Sequence, residues 1–271
     1  MVIISLTTTY SRSEMCLYSV LSLCRQSIAP DKIILSISKE KYLEDDGFSQ
    51  FPSWVESFPE LCNILDIRWV ENTGSYRKLL PIIFEVDEND LVITVDDDVI
   101  YHKEWLKTIV EVSKEYPNHA ISSRVRRKRR NFFGKHTSYI LWPVVREKME
   151  FHDDFVVIGC GGVAYRRSFF NTELLQMEDF LNCAPTSDDL WFSKLLEVSR
   201  TPVLSLPSAI SLTSDITHKY NLSAINALQG GSFYRKVFVR LKAMTLGWLG
   251  FLICANDLSH KDIENKFKLM K

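Results

Sequence analysis

The stretch Leu91-Val-Ile-Thr-Val-Asp-Asp-Asp-Val-Ile-Tyr101 decides how the rest of the chain is read. Leu91 to Val95 is an apolar run broken only by Thr94, the mark of a strand buried on both faces. It ends in three carboxylates. Alternate residues of an extended chain point the same way, so Asp96 and Asp98 are expected to face one site while Asp97 points elsewhere. Hard oxygen donors at the exit of a core strand suit magnesium or manganese, ions that keep several waters and bridge to substrate phosphates. Three adjacent aspartates without that strand would read as a solvated turn. Crowding like charges at the end of a core strand is costly unless something positive neutralises them.

Working outward, the amino-terminal side supplies a β-α-β opening. Val2–Leu6 reads as a strand and Thr7–Arg12 as a polar turn. Ser13 is a helix cap, with Leu17, Val20, Leu21 and Cys24 at helical spacing behind it, and Lys32–Ser38 is a second strand. Such a unit favours a parallel sheet with right-handed crossovers, whose ligands bind beyond the carboxyl ends of the strands. The turn Thr7–Arg12 and the aspartates Asp96–Asp98 both fall at that rim. Ile64–Val70 reads as a third strand. Gly74 then marks a turn into a helix that would carry Arg77 and Lys78 in its first turn, a phosphate-binding arrangement.

On the carboxyl side, Trp105–Tyr116 is an amphipathic helix and Ala120–Ser123 a short strand. Arg124–Arg130 is a strongly basic run, read as a solvated loop by default and otherwise as a contact for anionic lipid or a polyanionic acceptor. Phe155–Tyr165 is a strand interrupted by Gly159-Cys-Gly-Gly162. Either those glycines make a tight bend or they let a ligand approach the backbone. Thr186-Ser-Asp-Asp-Leu-Trp191 opens a helix whose amino end would keep Asp188 or Asp189 ionised, able to act as a general base. Pro202–Ser205 is a last strand. His218 is the best-placed further metal ligand in the carboxyl-terminal part. Phe233–Cys254 mixes Arg and Lys with Phe, Leu and Trp, as interfacial helices do, and its apolar core is too short to cross a bilayer.

Bulk properties exclude several classes. The 271 residues carry a formal net charge of -1, which gives no general affinity for nucleic acid. With 46% hydrophobic and 25% charged residues the composition is that of a globular protein with a substantial core. The six cysteines show no C-x-x-C spacing and read as reduced thiols of a cytosolic protein. Met1-Val-Ile-Ile leads directly into a strand and leaves no room for a signal peptide.

Taken in order, the Thr-Thr-Tyr-Ser-Arg turn, Gly74–Pro81, Asp96-Asp97-Asp98, Gly159–Gly162 and Asp188-Asp189-Leu190-Trp191 resemble the GT-A glycosyltransferases. The likeness is greatest to bacterial family 2-like enzymes of O-antigen and capsule assembly. The resemblance implies an α/β, Rossmann-like, mostly parallel sheet flanked by helices. The resemblance spans roughly residues 1–200; a domain is expected over residues 1–220, followed by a helical extension over 221–271 whose composition suggests membrane association. The resemblance implies a nucleotide-sugar donor, a UDP-sugar, with Thr8, Tyr10, Arg12, Arg77, Lys78, Asp96, Asp97, Gly161 and Gly162 around it. Asp98, Asp96 and His218 would hold Mn2+ or Mg2+, and Asp189, with Asp188 in second place, would be the base of an inverting transfer. The acceptor would be a lipid-diphosphate-linked saccharide at the inner face of the cytoplasmic membrane. A nucleotidyltransferase would carry a glycine-rich basic loop after the first strand, which Thr7–Arg12 lacks. A haloacid-dehalogenase-like phosphatase places its Asp-x-Asp near the amino terminus, and a non-catalytic sugar-binding module needs neither acidic cluster.

Overall fold

A computed structural model describes residues 1–58, 61, 63–216 and 233–270 of the chain. The strands are β1 (Val2–Thr7), β2 (Lys32–Ile37), β3 (Leu65–Trp69), β4 (Leu91–Thr94), β5 (Val99–Tyr101), β6 (Ala120–Arg127), β7 (Met149–Phe151), β8 (Phe155–Tyr165), β9 (Val203–Ser205) and β10 (Thr213–Asp215). Eight of them form one sheet in the order β3-β2-β1-β4-β8-β6-β9-β7, and β10 pairs with β5 in a separate ribbon. The half from β3 to β4 is wholly parallel; β8 runs antiparallel to both β4 and β6. The principal helices are α1 (Ser13–Cys24), α2 (Trp105–Glu115), α3 (Asp188–Val198), α4 (Phe233–Lys242) and α5 (Ala255–Leu269).

Period-two alternation distributes the apolar residues of the central strands between two cores. Ile3, Ile34 and Val92 join one, together with Leu190, Trp191, Ile263 and Phe267 of α3 and α5. Ile4, Ile33 and Ile93 join the other, with Val20 and Leu23 of α1 and Trp105 and Ile109 of α2. Helices on both faces of a mixed sheet give the Rossmann-like architecture read from the sequence.

Two elements differ from their sequence reading. The basic run is largely strand: Arg124–Arg127 pairs with Ile158–Phe155 inside the sheet. Charge suggested a loop, yet Val125 fills a core position while Arg124 and Arg126 point to the opposite face, where the cleft lies. Lys128 is buried against Glu197 at 2.9 Å. Likewise Arg77 and Lys78 close a 3-10 turn, Gly74–Lys78, instead of opening a helix. Pro81 sets the reason, because proline is accepted only in the first turn of a helix, which therefore starts at Leu80.

The carboxyl-terminal part is helical. α4 passes into a π-helical turn, Ala243–Gly247, and α5 packs on α3 and on Phe180–Cys183. Among the described residues no helix is long and apolar enough to cross a membrane. The described cysteines are free thiols.

Candidate active site

β4 ends at Thr94, and Asp96–Asp98 occupy the turn that leads into β5. Asp97 turns inward while Asp96 and Asp98 stay part-exposed, yet all three border one cleft and Asp97 and Asp98 share Arg12. Asp97 is buried, accepting from the Thr8 hydroxyl at 2.5 Å and paired with Arg12. Burial raises its carboxyl to about 6, against the pull of Arg12. Asp96 and Asp98 are part-exposed at the floor of a cleft of about 830 Å³. The two rim segments thus meet: Arg12 also reaches Asp98 at 2.8 Å, and its guanidinium is raised by the three aspartates despite its burial. Tyr10 is different. Its exposed ring packs edge-on against Phe48 and lies outside the cleft lining.

Arg77 and Lys78 are both buried, with distinct tasks. Arg77 is 1% exposed and Asp45 3%. The guanidinium donates to Asp45 at 2.9 Å, Ser38 Oγ at 2.8 Å and the Thr8 carbonyl at 3.3 Å. It clasps the β1 and β2 exits to the segment Tyr42–Asp46, whose residues form one wall of the cleft. The Lys78 ammonium lies 3.1 Å from Asp96 and 3.2 Å from Asp188. Burial alone would lower it, but Asp188, Asp96 and Asp189 outweigh burial and hold it well above the ordinary lysine value. Two acidic motifs some ninety positions apart are therefore joined through one cation.

Asp188 and Asp189 open α3. Ser187 stands at the cap position without capping through its side chain, and donates its hydroxyl to Asn256 Oδ1 at 2.5 Å. Asp189 Oδ1 accepts the Gly159 N–H at 2.9 Å. A helix amino end was expected to keep this carboxylate acidic. Instead burial and the neighbouring Asp188 charge push Asp189 well above the usual carboxylate range, with Lys78 opposing them. A base poised towards neutral pH is better matched to proton abstraction than a strongly acidic one.

The glycine block is a bulge in β8. Ser122 pairs with Val163 and Arg124 with Ile158, so the residues between Ile158 and Val163 bow out opposite Ser123. Gly161 and Gly162 have φ of +85° and +99°, and a Cβ on them would meet Ile210 and Trp105. They build the bend and face protein, not the cleft, which corrects their expected place around the donor. Gly159 is the glycine that opens on the site: a Cβ there would lie 2.8 Å from Lys78 Nζ and 3.3 Å from Asp189 Oδ1. Only its position before the bend distinguishes it in the sequence.

Other lining residues come from outside the acidic and glycine motifs, two of them from the basic run. Arg124, Arg126 and Tyr139 stand on the β6 side, and Asp215 approaches along β10, whose neighbour Ile216 donates its N–H to the Asp98 carbonyl at 2.7 Å. His218 lies outside the described residues.

Asp96 and Asp98, paired with Lys78 and Arg12 respectively, could hold a hard dication shared with phosphate. Asp96, Asp98 and Asp215 present carboxylate oxygens to the cleft, while among the described residues no three His, Cys, Asp or Glu converge into an all-protein cage. A magnesium-type ion needs only one or two carboxylates when substrate phosphates and water complete its shell.

A parallel half-sheet, an Asp-x-Asp turn at its carboxyl rim and a second acidic pair across the same cleft define a GT-A glycosyltransferase. The sequence profile of glycosyl transferase family 2 matches residues 6–173, and the chain belongs to that family. No curated protein matches it. Among solved structures it is similar to the mannosyltransferase PcManGT from Pyrobaculum calidifontis in complex with GDP-Man and Mn2+, at 14% identity over 82% of this chain and 59% of that one, TM-score 0.50. It is also similar to TarS of S. aureus, at 17% identity over 75% and 35%, TM-score 0.44. With TarS 1-349 in complex with UDP-GlcNAc the identity is 14% over 89% and 65%, TM-score 0.49. At such identities the likeness is one of fold, and the chain spans from about a third to two-thirds of these solved chains.

Proposed function

We propose that this chain transfers a sugar from a nucleotide-sugar donor, a UDP-sugar, to a hydroxyl of a saccharide carried on a lipid diphosphate, with inversion at the anomeric carbon. The observation that supports this reading is the bridge Asp96–Lys78–Asp188, which joins the two acidic motifs across one cleft.

The donor diphosphate would lie over the rim formed by Thr8, Arg12 and Asp96–Asp98. Mn2+ or Mg2+, held by Asp98 and Asp96, would supply positive charge to the departing diphosphate. Asp189 would take the proton of the acceptor hydroxyl as its oxygen bonds to the anomeric carbon. The bond from that carbon to the phosphate oxygen breaks, its electron pair leaves with the diphosphate, and the products are the glycoside and a nucleoside diphosphate. The Gly159 N–H fixes Asp189 in place, so little reorganisation accompanies proton transfer. Lys78 keeps Asp188 and Asp96 compensated before the donor arrives.

The lipid acceptor and a place at the inner face of the cytoplasmic membrane, in assembly of a bacterial surface polysaccharide such as O-antigen or capsule, follow from the family resemblance. The exposed apolar residues of the carboxyl-terminal part agree with them. The test is a thermal-shift series with UDP-, GDP- and dTDP-sugars, with and without manganese. A UDP-sugar should raise the midpoint, more so with manganese, because a ligand that binds only the folded state stabilises it by mass action. A midpoint unmoved by every nucleotide sugar would rule the reading out.

A further inference from the structure

A second cavity, of about 510 Å³, lies between the segment Arg130–Trp142 and α5 and shares no lining residue with the first cleft. Lys135, Lys261 and Lys268 line it, and none of the three has a carboxylate partner among the described residues. Arg130 and His136 line it too, but share Asp154 at 3.0 and 3.1 Å. Its acidic members are already engaged: Glu264 holds Lys194 at 2.8 Å, and Asp257 accepts the Tyr139 N–H at 2.6 Å. The cavity therefore keeps an excess of positive charge.

Phe251 and Leu252, both exposed, line the same cavity. Beside them stands a tip built from the other chain segment. Phe132 is 90% exposed and Phe133 73%. Asn131 fixes that tip, accepting the N–H groups of Phe133 and Lys135 at 2.9 and 3.1 Å and donating to the Trp248 carbonyl at 3.1 Å. Gly134 turns it with φ of +73°, and the Phe132 ring rests edge-on against Trp248 at 5.2 Å. Two adjacent phenylalanines held out by a braced turn are an exposed apolar patch, which marks a contact surface.

We propose that this face docks on a bilayer containing acidic phospholipid, with Phe132, Phe133, Phe251 and Leu252 in the acyl boundary and the lysine cavity around an anionic headgroup. Charge complementarity selects this occupant, since unpaired lysines beside bare aromatics match an amphiphile with an anionic head. The proposal deepens the lipid-linked reading above and rests on it only for its biological sense.

The experiment is co-sedimentation of the full chain with vesicles of phosphatidylcholine alone or mixed with phosphatidylglycerol. The wild type should sediment with the mixed vesicles. The double variant Phe132→Ser/Phe133→Ser should lose about tenfold or more of the partition coefficient through lost apolar burial. Lys135→Gln/Lys261→Gln/Lys268→Gln should lose the preference for phosphatidylglycerol. All these side chains are exposed, so unchanged melting would show that the variants fold. A wild type that stays in the supernatant, or variants that partition as it does, would overturn the proposal. So would release from the vesicles by millimolar inorganic phosphate, but not by chloride at equal ionic strength, which would assign the cavity to a free anion. Conversion of an oligomer to monomer by the serine variant, with vesicle binding unchanged, would assign the patch to a second copy. UDP-dependent thermal shift, followed in parallel, reports on the transfer reading alone.

Discussion

Asp189 is where environment and chemistry meet most directly. Its carboxyl is buried beside the Asp188 charge and is raised in consequence. The free enzyme then holds a proton at a pH where an ordinary carboxylate, near 3.9, would have lost it. The proposed base role needs the ionised form, so under that proposal kcat/KM should rise with pH through this raised ionisation and flatten above it. The same proton makes the group's contribution to folding stability fullest below the ordinary carboxylate value, and that contribution declines as pH rises through the folded one. Asp189→Asn should remove both dependences and abolish transfer, losing about 10²–10⁴-fold or more of the rate, while UDP still binds. A near-normal rate in that variant would hand the role to Asp188. The glycines give a second residue-scale contrast. Gly159→Ala puts a methyl 2.8 Å from the flexible end of Lys78, so the fold should survive and activity should fall. Gly161→Ala meets Ile210 Cδ1 at 2.2 Å on a backbone with φ of +85°. It should destabilise by about 1–3 kcal/mol, read by urea unfolding.

Elements explain what the sequence could and could not convey. Buried strands such as Leu91–Thr94 announce themselves because both faces are apolar, and the rim common to Thr7–Arg12 and Asp96–Asp98 follows from parallel pairing. Arg124–Arg127 was hidden because the strand turns one face to a polar cleft, and charge there resembles charge in a loop. The bend at Gly159–Gly162 was visible as glycine, but which glycine faces the site depends on a register shift that only pairing with β6 reveals. Arg77 was legible as a cation of the cleft, which it lines, but its clasp on Asp45 was not. Its partner Asp45 sits in an irregular excursion whose fold no periodicity announces. The Arg77–Asp45 clasp can be measured. Arg77→Met leaves Asp45 buried and uncompensated and should cost about 3–5 kcal/mol. Adding Asp45→Asn should return part of that, since the stranded charge is then gone. Equal losses for the single and double variants would show that the clasp acts through packing alone.

At the scale of the whole molecule, the carboxyl-terminal helix is tied to the acidic pair. α5 buries Ile263 and Phe267, and the Phe267 ring lies 5.6 Å from Trp191 of α3. At its amino end Asn256 receives the Ser187 hydroxyl one residue before Asp188. Next to it, Asp257 accepts four donors: Tyr139 N at 2.6 Å, Ile253 N at 2.7 Å, Ser138 Oγ at 2.8 Å and Cys254 N at 3.2 Å. Three of these are backbone N–H groups from two separate segments, and one of those segments also supplies Tyr139 to the cleft lining. Removing the carboxylate strands these donors in a buried place, at about 1–3 kcal/mol for each donor left unmade. Asp257→Ala should therefore destabilise the whole chain cooperatively, by about 3 kcal/mol or more, in urea unfolding followed by tryptophan fluorescence. Because α5 braces the start of α3, transfer should also slow at temperatures where the variant is still folded, with UDP affinity at the opposite rim kept. An Asp257→Ala protein with normal stability and normal turnover would mean that α5 merely rests on the domain; loss of both shows that the last helix positions the base.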